Sequence, residues 1–279
     1  MIHYTDHISQ LIRDIVLRVP ALSFIQPADV LVFARLGRTG ADGPYATCHS
    51  LNLPPSEPGY YFWRDRESGR LTRRSEWFVT KSPSVSIAGH EIKYLLSFTL
   101  PRFCDQSLLR SYKREFYHDS EPWVAKLDTI VHELYHIDPE EPGIRRVTRA
   151  DGEYSARMHS PGFFQEVVQM VHQYLASGPD PAVYEFLRDD FRQLEARYGG
   201  VVGTTFRTFP SYPQRYVEPL SPQPAVPGEA EEVALERLRV RPARTRYTEA
   251  DLRLRRFTAQ AARPLRGRFT PVRHEHQAA

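Results

Sequence analysis

The sequence predicts an α+β fold, and three observations support this prediction. The first twenty residues have the spacing of an amphipathic helix, with charges at Asp6, Arg13, Asp14 and Arg18. Much of the next part of the chain, up to residue 101, is rich in β-branched and aromatic residues, which predicts a mostly antiparallel sheet. After residue 120, apolar residues recur every three or four positions, and this period predicts helices.

Four segments of the region before residue 101 have the composition of strands. Residues 29–37 are apolar enough for a half-buried or central strand, and residues 45–55 form a second candidate that is stopped by its prolines. Residues 59–81 predict a hairpin with the polar residues 66–70 as its turn. Residues 91–101 have the strongest strand composition and end in a proline.

Three later segments carry the start and stop signals of helices. The first begins with Ser120 as its cap and ends before a proline. The second runs from Ser160 to Gly178, and the third from Asp180 to a glycine pair that begins at Gly199. The apolar spacing of the second and third segments predicts that they pack against the rest of the domain.

Composition divides the chain into three parts. Residues 1–209 are predicted to form one domain around a single core. Residues 210–236 contain six prolines and predict an extended linker. Residues 237–279 contain twelve arginines and few apolar residues, which predicts a disordered basic tail. Within this tail, residues 248–262 could form a helix capped by Thr248.

The chain is expected to have no membrane partner and to reside in the cytoplasm. No segment approaches the roughly 18 to 20 uninterrupted apolar residues of a membrane helix. The amino terminus lacks the basic start, apolar centre and cleavage site of a secretory signal. Cys48 and Cys104 belong to no CxxC pair, so neither a zinc ribbon nor a disulfide framework is expected.

The segment TIVHELYHID, residues 129–138, places a glutamate between two histidines. His132 and His136 are four residues apart and lie on one face of a helix, so both can reach the same metal ion. Glu133 lies about 100° around the helix from His132, where it can take a proton from a metal-bound water. The pair supplies two of the three protein ligands of a catalytic zinc. In the alternative interpretation, both histidines are core residues of an ordinary helix.

The third ligand is predicted to be His159, because it directly precedes a helix start at Ser160 and the intervening loop can bring it over the first helix. Glu166 on the following helix and Glu153 in the loop are the alternatives. Asp138, just after the motif, either orients one of the histidines or ends the helix.

These segments carry a resemblance. LDTIVHELYHID and RMHSPGFFQEV, preceded by the strand YLLSFTLPRF, resemble metallopeptidases encoded in phage and bacterial genomes and are similar in motif order to the SprT-like zinc proteases. The positions that match are His132, Glu133, His136, His159 and either Phe163 or Phe164. The resemblance extends over residues 29–175 and implies a zincin-like domain with an HExxH active-site helix. The zinc ribbon that many SprT-like proteins have at the carboxyl terminus has no counterpart here.

The expected function is zinc-dependent hydrolysis of peptide bonds in a protein or peptide substrate, with Zn²⁺ as cofactor. Zinc lowers the pKa of its bound water and polarises the scissile carbonyl, while Glu133 passes the proton to the leaving amine. Tyr154 is a candidate transition-state stabiliser, with Arg145 and Arg146 in the same loop as alternatives. The strand at residues 91–101 could offer the sheet edge on which an extended peptide lies.

Two other functions fit the same residues. The first is a zinc amidase that acts on a non-protein amide. The second is a nucleic-acid-associated binding protein with a structural or vestigial zinc site, whose arginine-rich tail contacts phosphates and bases. Glu133 favours an enzyme, because a purely structural site needs no general base.

Overall fold

The computed structural model describes residues 1–37, 43–51, 60–64, 71–81, 83–108, 112–145, 147, 159–160, 162–207, 216–219 and 246–259. These residues form an α+β fold with mixed sheets. The helices are α1 (Tyr4–Arg18), α2 (Val124–Tyr135), α3 (Phe163–Ala176), α4 (Pro181–Tyr184) and α5 (Phe191–Tyr198). The strands are β1 (Ile2–His3), β2 (Val30–Leu36), β3 (Ala46–Ser50), β4 (Tyr60–Arg64), β5 (Leu71–Lys81), β6 (Ser84–Ile87), β7 (His90–Ile92), β8 (Tyr94–Leu100), β9 (Val201–Phe206), β10 (Tyr216–Pro219), β11 (Arg246–Thr248) and β12 (Leu252–Phe257).

The sheet closest to the candidate site has the strand order β2-β8-β3. Strand β8 is parallel to β2, with Val30 opposite Tyr94, and antiparallel to β3. Parallel pairs also join β1 to β9 and β6 to β11. Five of the eight strand pairs in the described residues are antiparallel, as predicted, but the strands form four sheets, three of which also contain a parallel pair. Parallel partners lie far apart in the sequence, so no local pattern reveals their pairing.

The strand predicted at residues 91–101 is confirmed over β8, while residues 91 and 92 belong to β7 in another sheet, and the suggestion that the strand offers a free edge is wrong. Strand β8 pairs on both sides, and all of its residues are buried. Burial on both faces explains its continuous apolar composition. Among the described strands, β2 and β3 are the two outer members of this sheet. The predicted hairpin is confirmed by the antiparallel pair β4 and β5, while its turn at residues 66–70 lies outside the described residues.

The two faces of the sheet β2-β8-β3 belong to different hydrophobic clusters. Alternate side chains such as Ala34 and Leu96 join the large core that also contains the buried faces of α1, α2 and α3. The opposite side chains, such as Phe33 and Leu95, pack with Val85 and neighbouring apolar residues. This division follows from the two-residue period of a strand.

The predicted helices exist, but their starts differ from the prediction. Helix α2 begins at Val124 rather than at Ser120, because the preceding residues form a turn in which Val124 N–H donates to Glu121 O. Helix α3 likewise starts after Gly162. The third predicted helix is divided into α4, a short 3₁₀ helix and α5, since Asp190 caps α5 with a reciprocal capping box.

The arginine-rich tail is partly integrated into the fold, which corrects the predicted boundary at residue 209 and the predicted disorder of residues 237–279. Strand β11 pairs with β6, and β12 pairs with β9. Tyr247 and Phe257 are 6% and 1% exposed. Thr248 is confirmed as a cap, but of a 3₁₀ helix that leads into β12 rather than of a helix over residues 248–262. Residues 252–257 form a strand and not a helix because their pairing with β9 and the burial of Phe257 outweigh the local helical pattern.

The predicted linker is also partly structured. Residues 216–219 form β10, which is antiparallel to β5. The other residues of the predicted linker, and those of the tail apart from residues 246–259, lie outside the described residues. None of the helices in the described ranges has the length and apolar character needed to cross a membrane.

Candidate metal centre

Helix α2 positions the candidate site. A buried polar network anchors this helix to the segment that contains Lys113 and Tyr117. The ammonium group of Lys113 forms an ion pair with Asp128 and donates hydrogen bonds to Thr129 Oγ1 at 2.6 Å and to Ala125 O at 3.2 Å. Tyr117 donates a hydrogen bond of 2.6 Å to the same Asp128 carboxylate. Burial lowers the pKa of Lys113, and the negative charge of Asp128 opposes that effect. These contacts fix the helix one turn before its histidines.

Three histidine side chains converge at the end of this helix. His132 lies in α2, His136 is its C-terminal cap residue, and His159 comes from the segment before α3. The Nε2 atom of His159 lies 3.2 Å from that of His132 and 3.3 Å from that of His136, and the Nε2 atoms of His132 and His136 are 3.2 Å apart. Together the three side chains could hold a metal ion.

The spacing of these nitrogens fits a tetrahedral ion. Imidazole nitrogens bound to tetrahedral zinc at about 2.0 to 2.1 Å are roughly 3.3 Å from one another. Burial lowers the pKa of His132 to about 2 and that of His136 to about 4, and it also lowers the pKa of His159. The imidazoles are therefore neutral at neutral pH, which is the state in which histidine binds a metal.

Phe163 packs against all three imidazoles. Its ring centroid lies 5.0 Å from that of His132, 4.9 Å from that of His136 and 4.6 Å from that of His159. The side chain is 2% exposed, so it cannot move aside without opening the core. Phe163 thus restricts the orientation of every candidate ligand.

Glu133 points towards the outer strand β3. Its Oε2 accepts a hydrogen bond of 2.7 Å from Cys48 N–H, and the residue is 7% exposed. Burial raises the pKa of Glu133 to about 7, although the Cys48 N–H and the positive charge of Lys113 act in the opposite direction. A carboxyl group with this pKa can both accept and release a proton near neutral pH.

The backbone register explains why Cys48 is available to Glu133. Tyr45 O accepts from Thr99 N–H and Leu51 N–H donates to Lys93 O, both across the ladder to β8. In an antiparallel ladder these bonds alternate, so the even-numbered residues of β3 direct their N–H and C=O groups away from β8. Cys48 is one of them.

The other predicted site residues have different positions. Glu166 is exposed on α3 and is not part of the histidine cluster. Glu153, Tyr154 and Arg146 lie outside the described residues. Asp138 Oδ1 accepts hydrogen bonds from Glu140 N–H at 2.8 Å and Glu141 N–H at 3.1 Å, so it stabilises the turn after α2. This agrees with the alternative in which Asp138 ends the helix.

Arg145, the remaining candidate of that loop, lies beside the site. Its backbone N–H donates a hydrogen bond of 2.7 Å to His136 O, and its guanidinium carbon lies 4.1 Å from the ring centroid of Tyr135. Burial lowers the pKa of Arg145, against the opposing charges of Asp138 and Glu140.

Sequence reasoning missed three features of the site. The Cys48 contact uses a backbone group, for which the side chain gives no signal. Lys113 anchors α2 through contacts with Ala125, Asp128 and Thr129. The residues next to Lys113 in the sequence do not indicate these contacts. Phe163 is one of two phenylalanines in the motif resemblance, and no local pattern indicates that its ring contacts all three imidazoles.

Comparisons of the chain with protein-family models, with curated proteins and with solved structures find no match. The resemblance to SprT-like proteases therefore stays a prediction from the motif.

Proposed function

We propose that this chain is a zinc-dependent metallopeptidase of zincin-like architecture that acts in the cytoplasm. His132, His136 and His159 are its ligands, and Glu133 is its general base. The observation that carries the proposal is the approach of three neutral imidazole Nε2 atoms to within 3.2 to 3.3 Å of one another. Three histidines with a fourth position open for water are a known ligand set of catalytic zinc.

The chemistry follows from the neighbours of that cluster. A bound zinc ion supplies a Lewis acid and lowers the pKa of a water molecule. With zinc bound, Glu133 would take a proton from a water molecule at the site and deliver it to the leaving amine, and its raised pKa of about 7 suits both transfers. The Cys48 N–H holds the carboxylate in place during both steps.

The outer strand β3 favours a peptide over other amides. Ala46 directs its backbone N–H and C=O groups to the same side as Cys48, beside the proposed general base. An extended peptide can pair with such groups as an additional strand. A non-peptide amide would make no use of them.

The test is cleavage of a mixed peptide library by the zinc-loaded protein. We expect cleavage by the wild type, its loss on chelation, recovery on addition of zinc, and loss in Glu133→Gln with an unchanged zinc content. A zinc-loaded wild type that leaves all peptides intact would contradict the peptidase. Hydrolysis of a non-protein amide by that same preparation would instead favour the zinc amidase.

A second candidate function, nucleic-acid binding, is favoured by the arginines of β12. Arg253 and Arg256 are exposed and Arg255 is half-buried on a strand that is packed against the domain. Arginines held in this way suit contacts with phosphates. The test is the binding of a fluorescent oligonucleotide at increasing salt, with Arg253→Gln as variant. A salt-independent affinity, or one that the substitution leaves unchanged, would contradict this candidate.

A further inference from the structure

The guanidinium group of Arg145 stacks on Tyr135, whose ring packs against Phe163 of the candidate metal centre. The residue is half-buried, and its Nε atom is inaccessible to solvent. Within the described part of the chain, this Nε has no hydrogen-bond partner, and the guanidinium forms no ion pair. The nearby Asp138 carboxylate accepts the N–H groups of Glu140 and Glu141, and its charge acts on Arg145 without a direct ion pair.

The Nε–H group of Arg145 has neither solvent nor a hydrogen-bond partner among the described residues, and a donor in this state is costly. Buried charges in proteins are normally paired and hydrogen-bonded, because the loss of hydration is otherwise not compensated. Arg188 provides a comparison within this protein. Arg188 stacks on Trp123 in a similar manner, but it also forms an ion pair of 2.9 Å with Glu121. Arg145 has the same stacking contact, but none of the carboxylates in the described residues forms a direct ion pair with it.

A series of contacts between aromatic side chains connects Arg145 to the candidate metal centre. The guanidinium carbon lies 4.1 Å from the ring centroid of Tyr135, which is 4.9 Å from that of Phe163, and Phe163 contacts His136 at 4.9 Å. A second link is the hydrogen bond from Arg145 N–H to His136 O. A guanidinium stacked on a ring can still direct N–H groups in its own plane towards a carboxylate.

We propose that Arg145 binds a carboxylate of the substrate next to the scissile bond and makes the enzyme selective for acidic peptides. This inference rests on the proposed peptidase function. The carboxylate belongs either to an acidic side chain or to the carboxyl terminus of the peptide, and both present the same pair of oxygens to the guanidinium.

The test uses matched peptides with blocked termini that carry either glutamate or glutamine at each of the positions flanking the scissile bond. A second set compares a free carboxyl terminus with an amidated one. We expect a preference in kcat/KM of about 10- to 100-fold for the acidic member at one position, which is the effect of a hydrogen bond to a charged group. In Arg145→Met this ratio falls to about one, while the zinc content stays that of the wild type.

Two further variants make the result specific. Arg188→Met removes a stacked arginine that already has an anion, so it should leave the preference intact. Arg145→Lys keeps the charge but loses the two-pronged donor geometry, so it should retain only part of the preference. Arg145→Lys also replaces Arg145→Met if the latter does not fold.

The outcomes separate this proposal from the peptidase itself. Equal cleavage of acidic and amide peptides in both sets would overturn the role of Arg145 and leave the peptidase standing. If no peptide is cleaved, the peptidase fails, and binding of the same peptides to zinc-loaded Glu133→Gln, measured by fluorescence anisotropy, decides the role of Arg145. Tighter binding of the acidic peptides that disappears with Arg145→Met supports the site, and equal binding overturns it.

Discussion

The backbone N–H of Cys48 donates a hydrogen bond of 2.7 Å to Oε2 of Glu133, which joins the outer strand of the sheet to the residue that follows the first candidate ligand. Because this N–H lies on the side of β3 that faces away from β8, the bond replaces none of the hydrogen bonds between β3 and β8. The contact places the proposed general base and the proposed peptide-binding strand next to each other.

The first prediction tests this contact by removing only the donor. Cys48→Pro lacks the N–H, and proline is tolerated in an outer strand where the N–H does not face the ladder. We expect kcat to fall by about tenfold or more, because small displacements of a catalytic group are costly. Cys48→Ala is the matched control and should keep the activity and zinc content of the wild type. Equal activity of the two variants would show that the bond does not position Glu133.

The second prediction concerns the third ligand. We expect about one zinc ion per chain in the wild type, measured by elemental analysis, and its loss in His159→Ala. Glu166→Ala should retain the metal, since Glu166 is exposed and lies outside the histidine cluster. The reverse result would transfer the ligand role to the glutamate. Absence of zinc uptake by the wild type would contradict the metal site.

The third prediction assigns a positioning role to Phe163. Phe163→Leu keeps an apolar side chain but removes the ring that contacts all three imidazoles. Zinc affinity, measured by competition with a chromophoric chelator, should fall by about 10- to 100-fold, as it does for residues that orient metal ligands. Phe191→Leu, at a buried position outside the histidine cluster, should reduce stability without changing affinity. A similar loss of affinity in both variants would indicate a general effect on the fold.

The fourth prediction concerns the buried ion pair between Lys113 and Asp128 of α2. Lys113→Met leaves the carboxylate of Asp128 without its cation, and we expect the free energy of unfolding to fall by about 3 to 5 kcal/mol. The double variant Lys113→Met with Asp128→Asn should recover part of this loss, because no buried charge remains. Urea denaturation measures both.

A surface pair provides the control for this experiment. The side chains of Arg188 and Glu121 are 47% and 57% exposed, so Arg188→Met should cost at most about 1 kcal/mol. If Lys113→Met costs no more than this, the network does not stabilise α2.

The fifth prediction tests whether the carboxyl-terminal strand belongs to the domain. Phe257→Ala should lower the free energy of unfolding by about 3 to 5 kcal/mol, because the side chain is 1% exposed within the main core. Leu254→Ala, in the same strand but 63% exposed, should cost less than about 0.5 kcal/mol. Thermal unfolding followed by circular dichroism distinguishes them. Equal effects would mean that β12 does not contribute to the core.

Much of the secondary structure and half of the candidate site could be predicted from local pattern. The spacing of His132 and His136 places both on one helical face wherever that helix lies. The end of α5 was equally predictable, since Gly199 adopts a left-handed φ of 72° that glycine tolerates without strain. The start of α2 was not, because the turn before it depends on a backbone contact between Leu108 N–H and Pro122 O.

The sequence by itself determined the α+β class, the major helices and the placement of the two HELYH histidines on one helical face, because these depend on interactions between residues a few positions apart. Only the tertiary structure decided that His159 meets the other two histidines, that Cys48 N–H holds Glu133, and that β12 joins β9. These contacts join segments distant in sequence. They form because packing and strand pairing lower the free energy of the whole domain, and no local pattern records that balance.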